Sequence, residues 1–383
     1  MVDPGTGEDI VTVGARSADE PIAAVRCEHQ EPNRVVLRAD APVSVSRSAA
    51  GAGLEAGAAA FAAGFAAASG VAPIRPPPTT WCSWYQYFTE VSQADVLENL
   101  DAIRTSELPV DVVQLDDGYQ SEIGDWLSLS RRFASLEGMV DRIRATGPRA
   151  GIWIAPFLVG ARSRLGRDHP DWLVRAASGA PVLALHNWGQ DVHVLDVTHP
   201  GAQEHLAGVL ATMRQVGSDF FKIDFLYAAA LDGLRHDPSL TSTQAYRREL
   251  DQVRAAIGPE AYLLGCGAPL LPSVGKVDAM RVSADTAPAW AAEHGDRSLP
   301  GGESAELSVR GRAYQHGRYW VNDPDCLLLR PGVDQRERRA RLVERYGGLR
   351  GSSDRIAALD EWGLRTTTDL LSSVPPPTPF PIG

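Results

Sequence analysis

The chain has 383 residues, with 37 Lys+Arg against 48 Asp+Glu and a formal charge of −11. That balance argues against a nucleic-acid or anionic-membrane surface, which needs a basic patch; 44% hydrophobic and 22% charged residues exclude wholesale disorder. The length allows two or three domains of ~150 residues or one α/β barrel of ~250 residues or more.

The first ten residues have no basic segment followed by an apolar run, so no signal peptide is read and a cytoplasmic protein is expected. Residues 34–46 alternate in polarity as one or two strands of a small β element. Residues 54–68 are Ala-rich with Phe61 and Phe65 at helical spacing. The apolar run Ala58 to Ala68, broken by Gly64, is too short to span a bilayer. Pro76-Pro-Pro78 then stiffens the chain. Residues 1–78 therefore read as a short N-terminal extension with a few strands and a helix.

From there the sequence repeats a short β-type run, a loop and a helical stretch. The runs are Thr80–Tyr85, Asp111–Leu115, Ala150–Ala155, Phe220–Phe225, Ala261–Gly265, Ala279–Ser283, Tyr319–Val321 and Gly347–Arg350. Helices are predicted over 93–106, 136–146, 200–216, 243–257 and 335–345, the first capped by Ser92 with Asp95. Eight alternations point to an α/β fold in which residues 79–374 form a (β/α)8 TIM barrel. A doubly wound open sheet is the alternative, although no GxGxxG follows the first run. Residues 375–383 read as a proline-rich tail.

A barrel holds its active site at the C-terminal ends of its strands. Those ends carry Asp116-Asp117, Asp224, Gly265-Cys266-Gly267, Asp285, Asp323 with Asp325, and Asp354. Any one Asp reads equally well as a cap or turn residue. Their convergence on one rim does not. Period two puts Lys222 and Asp224 on one face, where the ammonium is expected to keep the carboxylate ionised. Asp285 stands beside Ala284, Ala287, Pro288 and Trp290, where burial raises a carboxyl toward the range of a general acid. Two carboxylates held at different pKa values suit glycoside hydrolysis. Trp81, Trp84, Trp126, Trp153 and Trp290 lie near strand ends and are candidates to stack on sugar rings, about half being expected in the core instead.

The segments Trp81-Cys-Ser-Trp-Tyr85, Leu115-Asp-Asp-Gly-Tyr119 with Gly124-Asp-Trp126, Gly151-Ile-Trp-Ile-Ala-Pro156, Leu195-Asp-Val-Thr-His-Pro200, Phe221-Lys-Ile-Asp-Phe225, Arg281-Val-Ser-Ala-Asp285 and Asn322-Asp-Pro-Asp325 carry a family likeness. From Trp81 to Leu371 the chain resembles the α-galactosidases of glycoside hydrolase family 36, the melibiase and raffinose-synthase group. The resemblance implies a retaining double displacement with Asp224 as nucleophile and Asp285 as acid/base. It implies that Asp116 and Asp117 hold sugar hydroxyls, that Lys222 and Arg281 bind ring hydroxyls, and that Cys266 with Gly267 forms a site wall. Trp153 would serve as a platform, with Trp84 and Trp126 as further substrate-binding aromatics. Retention implies carboxyls about 5–6 Å apart. No metal or organic cofactor is implied, and the expected partner is a carbohydrate, an α-galactoside. Family members usually carry a large N-terminal β-sandwich and a smaller C-terminal β domain, and the short extension departs from that pattern.

Two alternatives stand beside hydrolysis: galactosyl transfer through the same site, and a non-catalytic carbohydrate-binding barrel. A metal-dependent hydrolase is disfavoured, because His169, His186, His193 and His199 show no HxH or HExxH spacing. The scattered Cys27, Cys82, Cys266 and Cys326 form no CxxC pair and fit a reducing compartment. The sequence sets no oligomeric state.

Overall fold

A computed structural model describes residues 1–2, 8–20, 23–31, 34–49 and 53–381. The last two residues of the expected proline tail, and parts of the expected extension, lie outside the described residues.

Eight parallel strands form one curled sheet: β1 (Thr80–Cys82), β2 (Val112–Leu115), β3 (Arg149–Ile154), β4 (Ser218–Ile223), β5 (Tyr262–Gly265), β6 (Ala279–Arg281), β7 (Val321–Asp323) and β8 (Gly351–Ser352). Their spatial order is β7-β6-β5-β4-β3-β2-β1-β8, so each strand neighbours the next in sequence and β8 returns beside β1. Between the two outer strands, Gly348 and Leu349 N–H both donate to Asn322 O, at 3.1 and 2.9 Å.

Period two divides the strand residues between two cores. Val112, Phe220, Tyr262, Leu264, Ala279, Val321 and Leu349 pack together inside the curl, where the Phe220 and Tyr262 rings stack at 5.7 Å. Their chain neighbours Val113, Phe221, Leu263 and Met280, and Ile223 two residues beyond Phe221, turn outward to the helices. Gly151 on β3 permits the inner packing: a Cβ there would lie 2.9 Å from Val112 Cγ1 and 3.1 Å from the Phe220 ring.

The predicted helices are found as α1 (Gly53–Ala68), α2 (Gln93–Thr105), α3 (Leu136–Ala145), α4 (Pro200–Gln215), α5 (Ser242–Ile257) and, after one more helix, Arg336–Tyr346. Ser92 and Asp95 form the reciprocal capping box that starts α2. Among the helices longer than five residues in the described residues, two went unread: α6 (Gly302–Arg312), which carries Gly302 and Gly311, and Glu361–Ser372; in chain order Arg336–Tyr346 is α7 and Glu361–Ser372 is α8.

Other boundaries moved. The stretch 34–46 divides at Asp40: Arg34–Ala39 pairs with Val25–Glu31, whereas Ser44–Ser48 pairs with Ile10–Gly14. The first run stops at Cys82 because Trp84–Tyr87 turns into a short helix. The last two strands lie further on than expected. The Gly347 N–H closes α7 by donating to Val343 O, which leaves Gly351 and Ser352 to pair with β1. Between β3 and α4 an unanticipated antiparallel sheet, Leu158–Gly160 with Gln190–Val194 and Leu183–Asn187, places a hairpin tip at Trp188.

No helix among the described residues is long and apolar enough to cross a membrane.

Candidate active site

Following each strand two residues at a time leads from apolar packing to charge. Val112, Gln114 and Asp116 share the inner face, as do Phe220, Lys222 and Asp224, and Val321, Asp323 and Asp325. The inner core therefore ends in a layer of buried polar groups and opens on a rim of carboxylates.

Asp224 follows β4, which is laddered on both sides, to β3 and β5. Its carboxylate accepts from Trp153 Nε1 at 3.1 Å and from Phe225 N–H at 2.7 Å. Both donors fix the orientation of the carboxylate. Gly267 follows β5 with φ +56, and a Cβ there would press on Asp224 Oδ1 at 3.1 Å, so a glycine backbone forms this wall. The neighbouring Cys266 is buried, and burial followed by the Asp224 charge pushes its thiol pKa well up.

The expected pairing of Lys222 with Asp224 is corrected. Lys222 Nζ lies 2.9 Å from Asp116 Oδ2, which also accepts from Gln114 Nε2 at 2.6 Å and Cys82 Sγ at 3.3 Å. Burial works against the ammonium, but the Asp116 charge outweighs it and holds Lys222 well above the usual lysine range. Asp117 turns elsewhere, accepting from Gln120 Nε2 at 2.5 Å and Trp188 Nε1 at 2.8 Å. Its burial raises its pKa to about 6 against the pull of those two hydrogen bonds.

Asp285 lies four residues beyond Arg281, where β6 ends. The Arg281 guanidinium is buried and spends its closest contacts on Asp323 (Nε, 2.9 Å) and Asp325 (Nη2, 2.8 Å), reaching Asp285 only at 3.5 Å. Asp323 and Asp325, on the next strand, take that charge. The Asp285 side chain is 50% exposed, with Arg281 on one side and the Asp325 charge nearby. Desolvation there, then the Asp325 charge, raises its pKa to about 6; Arg281 opposes the rise and Asp224 adds to it.

Of the predicted aromatics, Trp153 is buried against Asp224 and Trp126 packs edge-on behind it, with ring centres 5.8 Å apart. Trp84 is half-buried beside Leu328 and Val333, with Phe88 at 5.2 Å. Trp81 is core, its Nε1 donating to Asp354 O; Asp354 itself accepts from Leu329 N–H and Arg330. Sequence reading missed Trp188, Gln120 and Tyr85, whose hydroxyl donates to Asp325. For Trp188 a signal existed: an aromatic between Asn187 and Gly189, a turn pair. Trp188, Phe225 and Asp325 all hold positive φ, at 52, 51 and 81, concentrating backbone strain around the rim. A cavity of about 340 Å³ lined by Tyr314, Tyr346 and Phe380 contains none of these residues.

An eight-stranded parallel α/β sheet with carboxylates gathered on one rim is an arrangement that suits a glycosidase. The sequence relationships narrow that class. A family model described as Melibiase matches residues 78–249. The structure is similar to TtGalA, an alpha-galactosidase from Thermus thermophilus solved with p-nitrophenyl alpha-D-galactopyranoside and with stachyose. In the stachyose complex identity is 31%, coverage is 94% of this chain and 77% of that one, and the TM-score is 0.79; in the other complex the values are 32%, 89%, 70% and 0.77. Alpha-galactosidase 2 of Pediococcus pentosaceus is 23% identical over 180 residues, 45% of this chain and 24% of that protein. Myogenesis-regulating glycosidase of Mus musculus is 29% identical over 135 residues, 35% of this chain and 19% of that protein. The chain thus spans about a quarter or less of the length of these curated relatives. The chain belongs to the melibiase family, glycoside hydrolase family 36.

Proposed function

We propose that this protein is a retaining α-galactosidase that removes terminal α-D-galactosyl residues from small galactosides. The observation that carries the reading is the contrast between two carboxyls on one rim. Asp224 is held in place by the Trp153 indole N–H and the Phe225 N–H, while Asp285 keeps a proton up to a pH of about 6. Asp224 attacks the anomeric carbon as the C–O bond to the leaving group breaks, and Asp285 transfers its proton to the departing oxygen. A water then gives its proton to Asp285 and its oxygen to the anomeric carbon, releasing Asp224. Two displacements retain configuration.

In this reading Asp117 and Trp188 contact the sugar, while Asp116, saturated by Lys222, Gln114 and Cys82, sets the shape of the pocket floor. Cys266 and Gly267 form the wall beside Asp224, and Trp153 both orients the nucleophile and lines the pocket, with Trp126 behind it. Arg281 fixes Asp323 and Asp325 and so the field at Asp285; Trp84 belongs to the outer rim. The sheet is read as a closed (β/α)8 barrel over 79–374, with the hydrogen bonds from Gly348 and Leu349 to Asn322 as its seam. Residues 1–78 are its extension and 375–383 its tail.

The test is turnover of p-nitrophenyl α-D-galactopyranoside followed by NMR. The first-formed sugar should be α-galactose, and Asp224→Asn should lower kcat by about 10⁴-fold or more with the fold intact. First-formed β-galactose would overturn retention, and near-normal turnover by Asp224→Asn would overturn the nucleophile.

A further inference from the structure

The stretch that follows Asp285 leaves the sheet, and one buried side chain holds most of it. Arg339, on α7, is 5% exposed. Its Nη1 donates to Thr286 Oγ1 at 2.5 Å, its Nη2 to Ala289 O at 2.8 Å and Pro288 O at 3.4 Å, and its Nε to Asp334 O at 2.8 Å. The guanidinium also lies 5.4 Å from the Trp290 ring centre, with Arg338 over the same ring at 4.4 Å. Asp334 completes the grip: its N–H donates to Pro288 O and its carboxylate accepts from Trp290 N–H at 3.2 Å.

Its helix neighbours Arg336 and Arg338 pair with Asp360 and Glu306. Arg339 forms no ion pair among the described residues. A buried cation without a carboxylate partner is costly, and burial lowers its pKa to about 10. Such a cost is retained where a planar, multiply donating fork reaches several acceptors that no other side chain reaches together. Here three of those acceptors fall within five residues of the acid. Thr286 is held from both ends, since its N–H donates to Asp325 Oδ2 at 2.9 Å. Asp285 O in turn accepts from Gly301 N–H at 3.0 Å.

We propose that Arg339 is a positioning residue for Asp285, fixing the proton donor against the leaving-group oxygen by clamping residues 286–290. This rests on the acid/base reading of Asp285 above. A clamp of this kind matters most where proton transfer is demanding, because a displaced acid protonates a poor leaving group badly.

The test uses the full chain with Arg339→Gln, Arg339→Lys, Arg339→Ala and the milder Thr286→Val, which deletes one acceptor at constant size. Amide hydrogen exchange over 284–301, relative to 218–225, should quicken in Arg339→Gln and Thr286→Val; unchanged exchange in both overturns the clamp. In kinetics, Arg339→Gln should lose about 30-fold in kcat/KM on an α-galactosyl sugar but threefold or less on p-nitrophenyl α-galactoside. Thr286→Val should show a smaller loss of the same selectivity. Guanidinium ion should restore part of the loss in Arg339→Ala, and Arg339→Lys should fall between wild type and Arg339→Gln. Equal losses on both substrates overturn positioning of the acid and leave a purely structural arginine. A wild-type chain inactive on both substrates would overturn the enzymatic reading and with it the positioning role, while the exchange data would still judge the clamp.

Discussion

The two sides of the rim are built differently. The Asp224 side stands on a six-residue strand laddered to both neighbours, closed by a glycine wall and held by two donors. The Asp285 side stands beyond a three-residue strand, on a segment tied down by side chains from other elements. In the proposed mechanism the nucleophile must be ionised and aimed at one carbon, which the end of a strand paired on both sides supplies. A proton donor must keep an unusual pKa and meet leaving groups of different shapes, which a desolvated, separately clamped segment supplies.

The sharpest test of that difference is Asp285→Ala. On an α-galactosyl sugar kcat/KM should fall by about 10²–10⁴-fold, with a much smaller loss on p-nitrophenyl α-galactoside; parallel losses would make the two sides equivalent. The wild-type pH profile carries the same information. In the proposed mechanism Asp285 must be protonated, so activity on the unactivated sugar should fall as pH rises through about 6. Because Asp117 is also raised to about 6, the limb should persist in Asp117→Asn if it belongs to Asp285.

Lys222→Met probes the floor beneath the Asp224 side. Removing the ammonium leaves Asp116 buried without its ion pair, and about 3–5 kcal/mol should be lost in denaturant unfolding. A loss near zero would mean that water or a neighbour replaces the ion pair. Gly267→Ala is the smaller, local version. Its φ of +56 and the 3.1 Å approach to Asp224 Oδ1 should cost about tenfold in kcat, equally on activated and unactivated substrates. That pattern is the opposite of the selectivity expected from the acid side.

The last perturbation leaves the rim side chains untouched and lies on α5, which joins β4 to β5. Glu249 there is 2% exposed, and burial raises its pKa to about 8. Its neutral form suits the fold, so stability falls as pH rises from about 4.5 toward 8. Glu249→Gln should remove that slope, adding up to about 4 kcal/mol at pH 8 and little at pH 4. An unchanged pH–stability curve would show that Glu249 finds a partner in solution.

Legibility followed locality. Strand alternation in Phe220-Phe-Lys-Ile-Asp-Phe225 and the Ser92/Asp95 cap are contained in a few residues, and the fold and the carboxylate rim came from such signals. Pairings between strands were not readable. Lys222 serves Asp116, 106 positions away, and Arg281 serves Asp323, 42 positions away, because both are fixed by neighbouring strands rather than by neighbouring residues. Boundaries failed where glycines serve two elements, as at Gly347–Gly348 after α7. Trp188 was missed because the hairpin that carries it is an insertion between β3 and α4, outside the repeating pattern.

The indole contacts have a practical outcome. Trp153 and Trp188 each give their N–H to a rim carboxylate, one to Asp224 and the other to Asp117. Indole emission responds to a charge on that bond, so the pocket contains its own optical reporters. A sugar that displaces or strengthens either contact should register as a fluorescence change with no label attached. Trp153→Phe and Trp188→Phe would then assign the signal to one side of the ring or the other.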